Sequence, residues 1–193
     1  IGPAAESRTA TLLGGRQFDW LKAGLARSDA TWNVLAQQVM MAMIDRRAGP
    51  ARVFSTDAWS GYVHERTALV KYLADAKVKN PVVLSGDVHS NWVNELRVDD
   101  REHRSPVVTA EFVGTSICSK GDGKPGDGDE LKPNNPCLKY HDDHRGYVRC
   151  DVTPARWLTE FRRVPVVSRP NGPVARKSVR ANSASRVRRR ARS

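Results

Sequence analysis

The sequence predicts a mixed α/β fold, and three observations predict it. A helix-then-strand order occurs twice, over residues 12–36 and 64–85, which argues for a sheet with parallel pairing. After residue 90 the helical period gives way to short alternating runs, so the second half reads as mostly antiparallel β. The chain has 193 residues and 39% hydrophobic content, enough for one domain with a sizeable core.

Residues 1–10 read as a loop. The chain opens Ile1-Gly2-Pro3 without a Met, so a preceding segment is expected. Thr11 to Arg27 is a helix, because Leu12, Leu13, Phe18, Leu21 and Leu25 recur near helical spacing, and Ser28-Asp29 stops it. Trp32 to Ala36 is a short strand whose apolar run extends through Val39 to Ala42. Residues 46–52, with Gly49-Pro50, and residues 55–62 are loops. His64 to Val78 is a helix with Ala68, Leu69, Tyr72, Leu73 and Ala76 inward. Pro81 to Ser85 is a buried strand. Trp92 to Val98 alternates between Trp92, Asn94, Leu96, Val98 and Val93, Glu95, Arg97, and Val107 to Val113 is a further strand. Lys120 to Pro136, rich in Gly, Pro and charge, is a long irregular loop. Gly146–Val152 and Trp157–Val164 form a hairpin turning at Thr153-Pro154.

Net charge is +11, yet eight of those charges fall after Ala175, where no acid occurs. The rest of the chain is nearly balanced. The high pI therefore describes a tail and not a binding face of the domain. Residues 168–193 lack core-forming side chains and are expected to be a disordered, Arg-rich extension. That tail suits non-specific contact with nucleic acid or anionic membrane; it lacks the interleaved aromatics that stack bases. No stretch approaches the ~20 apolar residues of a membrane-spanning helix. The three cysteines contain no Cys-x-x-Cys, which excludes a zinc ribbon. Cys118 and Cys137 flank a loop, and either a disulfide between them or free buried thiols is compatible with the sequence.

The sharpest chemical signal is Gly86-Asp87-Val88-His89, directly after the Pro81–Ser85 strand. Open α/β sheets place their chemistry just beyond the carboxyl ends of strands. A carboxylate and an imidazole two residues apart suit a metal that activates water. The competing reading is an Asp that caps the next turn beside a surface His. Asp57, in Ser55-Thr56-Asp57-Ala58-Trp59-Ser60-Gly61-Tyr62, offers a hard oxygen ligand for calcium or magnesium, and Trp59 a wall or a backbone carbonyl. Taken alone, the segment is explained more simply by an Asp turn before the helix. His141-Asp142-Asp143-His144 is ligand-rich, but Arg145 beside it reads as a structural or phosphate-facing cation. Asn91 and Asn94 carry amide carbonyls, with solvated roles as the simpler explanation. No Gly-x-Ser-x-Gly is present, and no P-loop or Gly-x-Gly-x-x-Gly opens a helix; Gly121 to Gly128 is glycine-rich but too acidic and too irregular to cradle phosphates.

Six segments in order resemble the C-terminal half of PhoD-like alkaline phosphatases, within the calcineurin-like metallophosphoesterase superfamily. They are Leu13-Gly14 with Gln17 and Trp20-Leu21; Trp32 to Gln38; Asp57 to Tyr62; Leu84 to Trp92; Glu111 to Ile117; and Arg145-Gly146-Tyr147. The resemblance covers roughly residues 8–170, so that residues 1–10 become the remnant of a preceding half, 11–167 part of the phosphatase domain and 168–193 the tail. It implies a β-sandwich flanked by helices with a multinuclear iron and calcium site at its edge. It implies Asp87 and His89 as catalytic metal ligands, and Asp57 with the Trp59 carbonyl as ligands of a calcium. It implies hydrolysis of phosphomonoesters or phosphodiesters by a metal-bound water or hydroxide attacking phosphorus, outside the cytoplasm. The family's other ligands (a Cys, further Asp and Tyr, an Asn) belong to the preceding half, so this chain alone is expected to lack turnover. The alternative is a non-catalytic module that binds anions through the Arg tail.

Overall fold

The structure, a computed structural model, describes residues 1–193 except 48, 103, 125–127, 172, 183–185 and 190–193. Two helices, α1 (Gly14–Ala26) and α2 (Val63–Asp75), lie against a five-stranded sheet, and a four-stranded sheet covers its other face. The first sheet comprises β1 (Asn33–Ala36), β2 (Pro81–Ser85), β3 (Asn91–Arg97), β4 (Val107–Val113) and β5 (Leu138–Asp142), in the order β1-β2-β4-β3-β5. β1, β2 and β4 run parallel; β3 is antiparallel to both its neighbours. The second sheet is an antiparallel meander of β6 (Arg145–Thr153), β7 (Arg156–Val164), β8 (Ala175–Asn182) and β9 (Arg186–Arg189). The mixed α/β class and the antiparallel second half thus hold.

Strand alternation builds the layers. In β2, Val83 points into the helix-side core with Leu69, Val70 and Leu73 of α2, while Val82 points into the inter-sheet core with Trp157 and Phe161 of β7. Full burial of each such side chain contributes about 1.5–3 kcal/mol. β3 alternates in sequence, the pattern of a strand with one solvated face. Instead six of its seven residues are buried, because the second sheet covers the face that would otherwise meet water.

Helix α1 presents Phe18, Leu21 and Leu25 to the core. No side chain of its own caps its N-terminus. The Glu65 carboxylate on α2 does so instead, accepting the amides of Leu12 at 2.5 Å and Leu13 at 3.0 Å. The inward stripe of α2 differs from expectation: Ala68 and Ala76 are exposed, and Arg66, Leu69, Val70 and Leu73 form the buried face. The spacing is helical, but Arg66 disguises it. Its fully buried guanidinium pairs with Asp100 and donates to the carbonyls of Met41, Arg97 and Val98, each at 3.0 Å. A charge so completely matched sits in a core at little net cost, whereas removing either partner alone would strand the other.

Residues 40–44 are buried without being a strand. Their amides find carboxylates: Glu111 accepts from Met41 at 2.6 Å and Ala42 at 3.0 Å, and Asp100 accepts from Met43 at 3.0 Å. Buried irregular backbone must be satisfied in some such way.

The three cysteines are free: Cys137 lies in the core and Cys118 on an exposed loop, so no Cys118–Cys137 bridge forms. Burial pushes the Cys137 thiol up, which makes it inert. The residues expected to be disordered include β8 and β9. A tail without core-forming side chains can still pair, because the outer edge of β7 offers unpaired backbone groups that do not read side chains. Among the described residues, no helix is long and apolar enough to cross a membrane.

Candidate functional site

The parallel strands β1 and β2 end side by side; the 86–90 loop leaves β2 at that end, and the 55–62 loop is bonded to the segment just past β1. Gly86 donates its amide to the Gln38 carbonyl just beyond β1 at 3.1 Å, and Gly114 beyond β4 donates to the Ser85 carbonyl at 2.9 Å. These bonds fix where the 86–90 loop begins. Inside it, Val88 N–H reaches the Gly86 carbonyl at 2.9 Å. Asp87 and His89 flank Val88 with φ of 72° and 59°. Left-handed backbone at a residue other than glycine costs about 1–2 kcal/mol. Two such residues in one loop mark a conformation the surroundings impose, and such strain clusters at functional sites.

The loop gives its two candidate ligands different settings. Asp87 is exposed, so its carboxylate is open to a ligand. His89 is half-buried, and its Nδ1 is buried with no hydrogen-bond partner among the described residues. An imidazole nitrogen in that state fits a metal ligand, and neutral His is the commonest such ligand.

The Asp57 loop is tied to the same strand end. Trp59 Nε1 donates to Gln37 Oε1 at 2.5 Å, and the Trp59 amide reaches the Met40 carbonyl at 3.4 Å. Trp59 is buried in a 3-10 turn, Trp59–Gly61, whose carbonyl already accepts the Tyr62 amide at 3.0 Å. One lone pair of that carbonyl remains for a ligand. Asp57 is exposed, and a hydrogen bond from Ser55 Oγ holds its carboxyl below the usual carboxylate value. Gly61 closes the loop: a Cβ there would lie 2.0 Å from the Thr56 carbonyl oxygen. Gly61→Ala is therefore expected to force the 56–61 backbone apart and to destabilise the chain by at least about 2 kcal/mol, read as a fall in thermal midpoint. An unchanged midpoint would contradict this packing.

The loops share a strand end, but they do not make a complete metal cage. Among the described residues, no group of three or more His, Cys, Asp and Glu side chains gathers closely enough to hold a metal. The donors present fit part of a site. The ligand-rich 141–144 segment is otherwise engaged. Asp142 accepts the His144 amide at 3.0 Å and pairs with its ring at 3.1 Å and with Arg163. Asp143 pairs with Arg145 at 3.0 Å, and His141 packs on Trp92 with ring centres 4.0 Å apart. Arg145 is accordingly structural. Asn91 and Asn94, expected to be solvated, are buried. Asn91 Nδ2 donates to the His144 carbonyl at 3.1 Å and Asn94 Nδ2 to Glu111 at 3.0 Å.

Glu111 had no assigned role from sequence. It sits fully buried on β4 and accepts from four donors: the Met41 and Ala42 amides, Asn94 and, at 2.9 Å, Ser85 Oγ. It thereby ties the last residue of β2, the foot of the Asp87 loop, to β3 and to the segment after β1. Burial raises its carboxyl above the ordinary value despite those donors. The available signal was a lone acid inside the apolar run Val107–Val113.

Comparison with known proteins places this architecture. The chain is 41% identical over 177 residues to alkaline phosphatase D of Bacillus subtilis (strain 168), which covers 90% of the chain and 30% of that protein. It superposes on the solved structure of PhoD with a TM-score of 0.92 and 35% identity, over 100% of this chain and 38% of that one. The chain thus spans about a third of the length of these relatives. The PhoD-like phosphatase family model matches residues 1–161, and on that match the chain belongs to the PhoD-like phosphatase family.

Proposed function

We propose that this chain forms part of a metal-dependent phosphoric ester hydrolase of the alkaline phosphatase and phosphodiesterase type, acting outside the cytoplasm. The observation that carries the reading is the Asp87-Val88-His89 loop at the end of β2, with a buried, unpartnered His89 Nδ1 beside an exposed carboxylate. Its membership of a phosphatase family supports the reaction class.

In this reading His89 Nδ1 and the Asp87 carboxylate hold a metal, iron being the choice that suits imidazole. Asp57 and the Trp59 carbonyl contribute to a calcium. A calcium takes ~6–8 oxygens, so the remaining ligands come from the part of the relatives' length that this chain does not span. The bound metals supply Lewis-acid polarisation of the phosphoryl oxygen and a lowered pKa for water. The chain's own residues set the geometry. Gln37 holds the Trp59 turn and the Gln38 carbonyl holds Gly86, so both ligand loops are fixed to one strand end. Glu111 fixes the foot of the Asp87 loop through Ser85. The substrate is a phosphomonoester or phosphodiester.

The test is phosphate release from a simple monoester and a simple diester. Protein of the relatives' full length carrying this segment is expected to hydrolyse one or both, to lose activity on chelation and to regain it with calcium and iron. The 193-residue chain alone is expected to be inactive. Turnover that survives exhaustive chelation would remove the metals from the proposal.

A further inference from the structure

Arg145 opens β6, yet its side chain does no work for the strand. The guanidinium is buried, with side-chain exposure of 1%. It reaches across to three other segments. Nη1 donates to the backbone carbonyl of His89, to Ser116 Oγ at 3.2 Å and to the Ser119 carbonyl at 3.3 Å. Nη2 donates to the Asp143 carbonyl and to its carboxylate at 3.0 Å. Gly123 closes over the group: a Cβ there would come within 3.0 Å of Nη2 and 2.0 Å of the Asp143 carbonyl oxygen. The neighbouring backbone fixes where the arginine starts. The Gly146 amide donates to the Ser116 carbonyl at 3.0 Å, and a Cβ on Gly146 would lie 1.8 Å from the Arg162 carbonyl oxygen.

The contact with His89 is the informative one. His89 is in the left-handed region at φ 59°, where a Cβ carries a steric cost. Its carbonyl is held by a buried cation through a charge-assisted bond, the stronger kind. The side chain of His89 in turn leaves Nδ1 buried and unpartnered. The guanidinium fork has the geometry to hold several carbonyls at once, which an ammonium lacks.

We propose that Arg145 is the positioning residue of the His89 loop: its buried guanidinium pins the His89 carbonyl, holds the left-handed backbone and so aims the imidazole. The functional meaning of that aim rests on the phosphatase reading; the positioning itself does not. Arg145 neither touches substrate nor ligates a metal in this proposal.

The experiment uses the metal-free 193-residue chain and reads the His89 ring by nitrogen-15 NMR. Arg145→Ala is expected to displace the His89 ring signals, and millimolar guanidinium is expected to restore them while methylammonium does not. Arg66→Ala, which removes another fully buried arginine, serves as the control and is expected to leave the His89 signals in place. Arg145→Lys carries the test if the alanine variant does not fold, with the His89 signals again displaced because an ammonium cannot span the same acceptors. Unmoved His89 signals in a folded Arg145 variant would overturn the proposal, as would an equal displacement in a folded Arg66 variant, Arg66→Lys replacing Arg66→Ala as the control if the latter does not fold. Because no metal or substrate is present, failure of the phosphatase reading shows in the chelation assay and leaves this result untouched.

Discussion

Replacing Asp87 or His89 in hydrolytically competent protein is expected to lower turnover of phosphate esters by at least about a hundredfold, because on the proposed reading each change removes a metal ligand. Asp87→Asn keeps the shape and loses the charge; His89→Ala removes the nitrogen. The stability of these variants separates lost chemistry from lost fold. Asp87 is exposed and His89 half-buried, so neither carries much of the core. Both have left-handed backbone, at φ 72° and 59°. Glycine adopts that conformation without the Cβ penalty. Asp87→Gly is thus expected to leave the thermal midpoint unchanged or raised while activity disappears. Strain that glycine would relieve, kept at a residue with a ligand-competent side chain, has the pattern of a site held for function. Turnover within a few-fold of the parent in Asp87→Asn would sink the ligand role.

Glu111→Ala is expected to give the largest loss of stability, about 3–5 kcal/mol. The substitution strands four buried donors at once: two amides, the Asn94 carboxamide and the Ser85 hydroxyl. Against a typical net stability of about 5–15 kcal/mol this is a large share, measured as a shift of the denaturant midpoint. Glu111→Gln, of nearly the same shape, is expected to lose less. The pH dependence has a definite sign. Burial raises the folded-state pKa of Glu111 above its unfolded value. Its contribution is then fully present below the unfolded value, about 4.3, and declines as pH rises through the folded pKa. The stability gap between the parent and Glu111→Gln should narrow over that rise. A gap that widens with pH would show that the four donors outweigh burial.

Most of the fold was legible because most elements obey local rules. The strand at Pro81–Ser85 and that at Val107–Val113 are predominantly apolar runs, the second interrupted by Thr109 and Glu111, and each occurs with those bounds. The hairpin of β6 and β7 follows from two alternating runs around Thr153-Pro154. The elements that escaped depend on distant partners. Strand β5 contains His141 and Asp142, and its polar composition signals no strand until β3 pairs with it. Arg66 looks like a surface residue until Asp100 meets it, 34 positions along the chain. Strands β8 and β9 carry a basic composition that argues against a core and is silent about edge pairing.

The candidate site divides in the same way. The residue types and the strand-end position of Gly86-Asp87-Val88-His89 were evident from sequence, as was the Asp57–Tyr62 turn. Their anchorage was not. Gln37 to Trp59, Gln38 to Gly86, Glu111 to Ser85 and Arg145 to His89 are bonds between segments far apart in sequence.

By itself, the sequence determined the fold class, the order of the principal elements and the identity of the candidate ligand loops, since apolar periodicity and strand-end placement are local properties of the chain. Only the tertiary structure decided which charges are buried and matched, why two non-glycine residues hold left-handed backbone, and which arginine and glutamate brace the loop. The physical reason is that a buried charge or a strained turn persists only where partners from other segments stabilise it, and those partners are chosen by packing rather than by spacing.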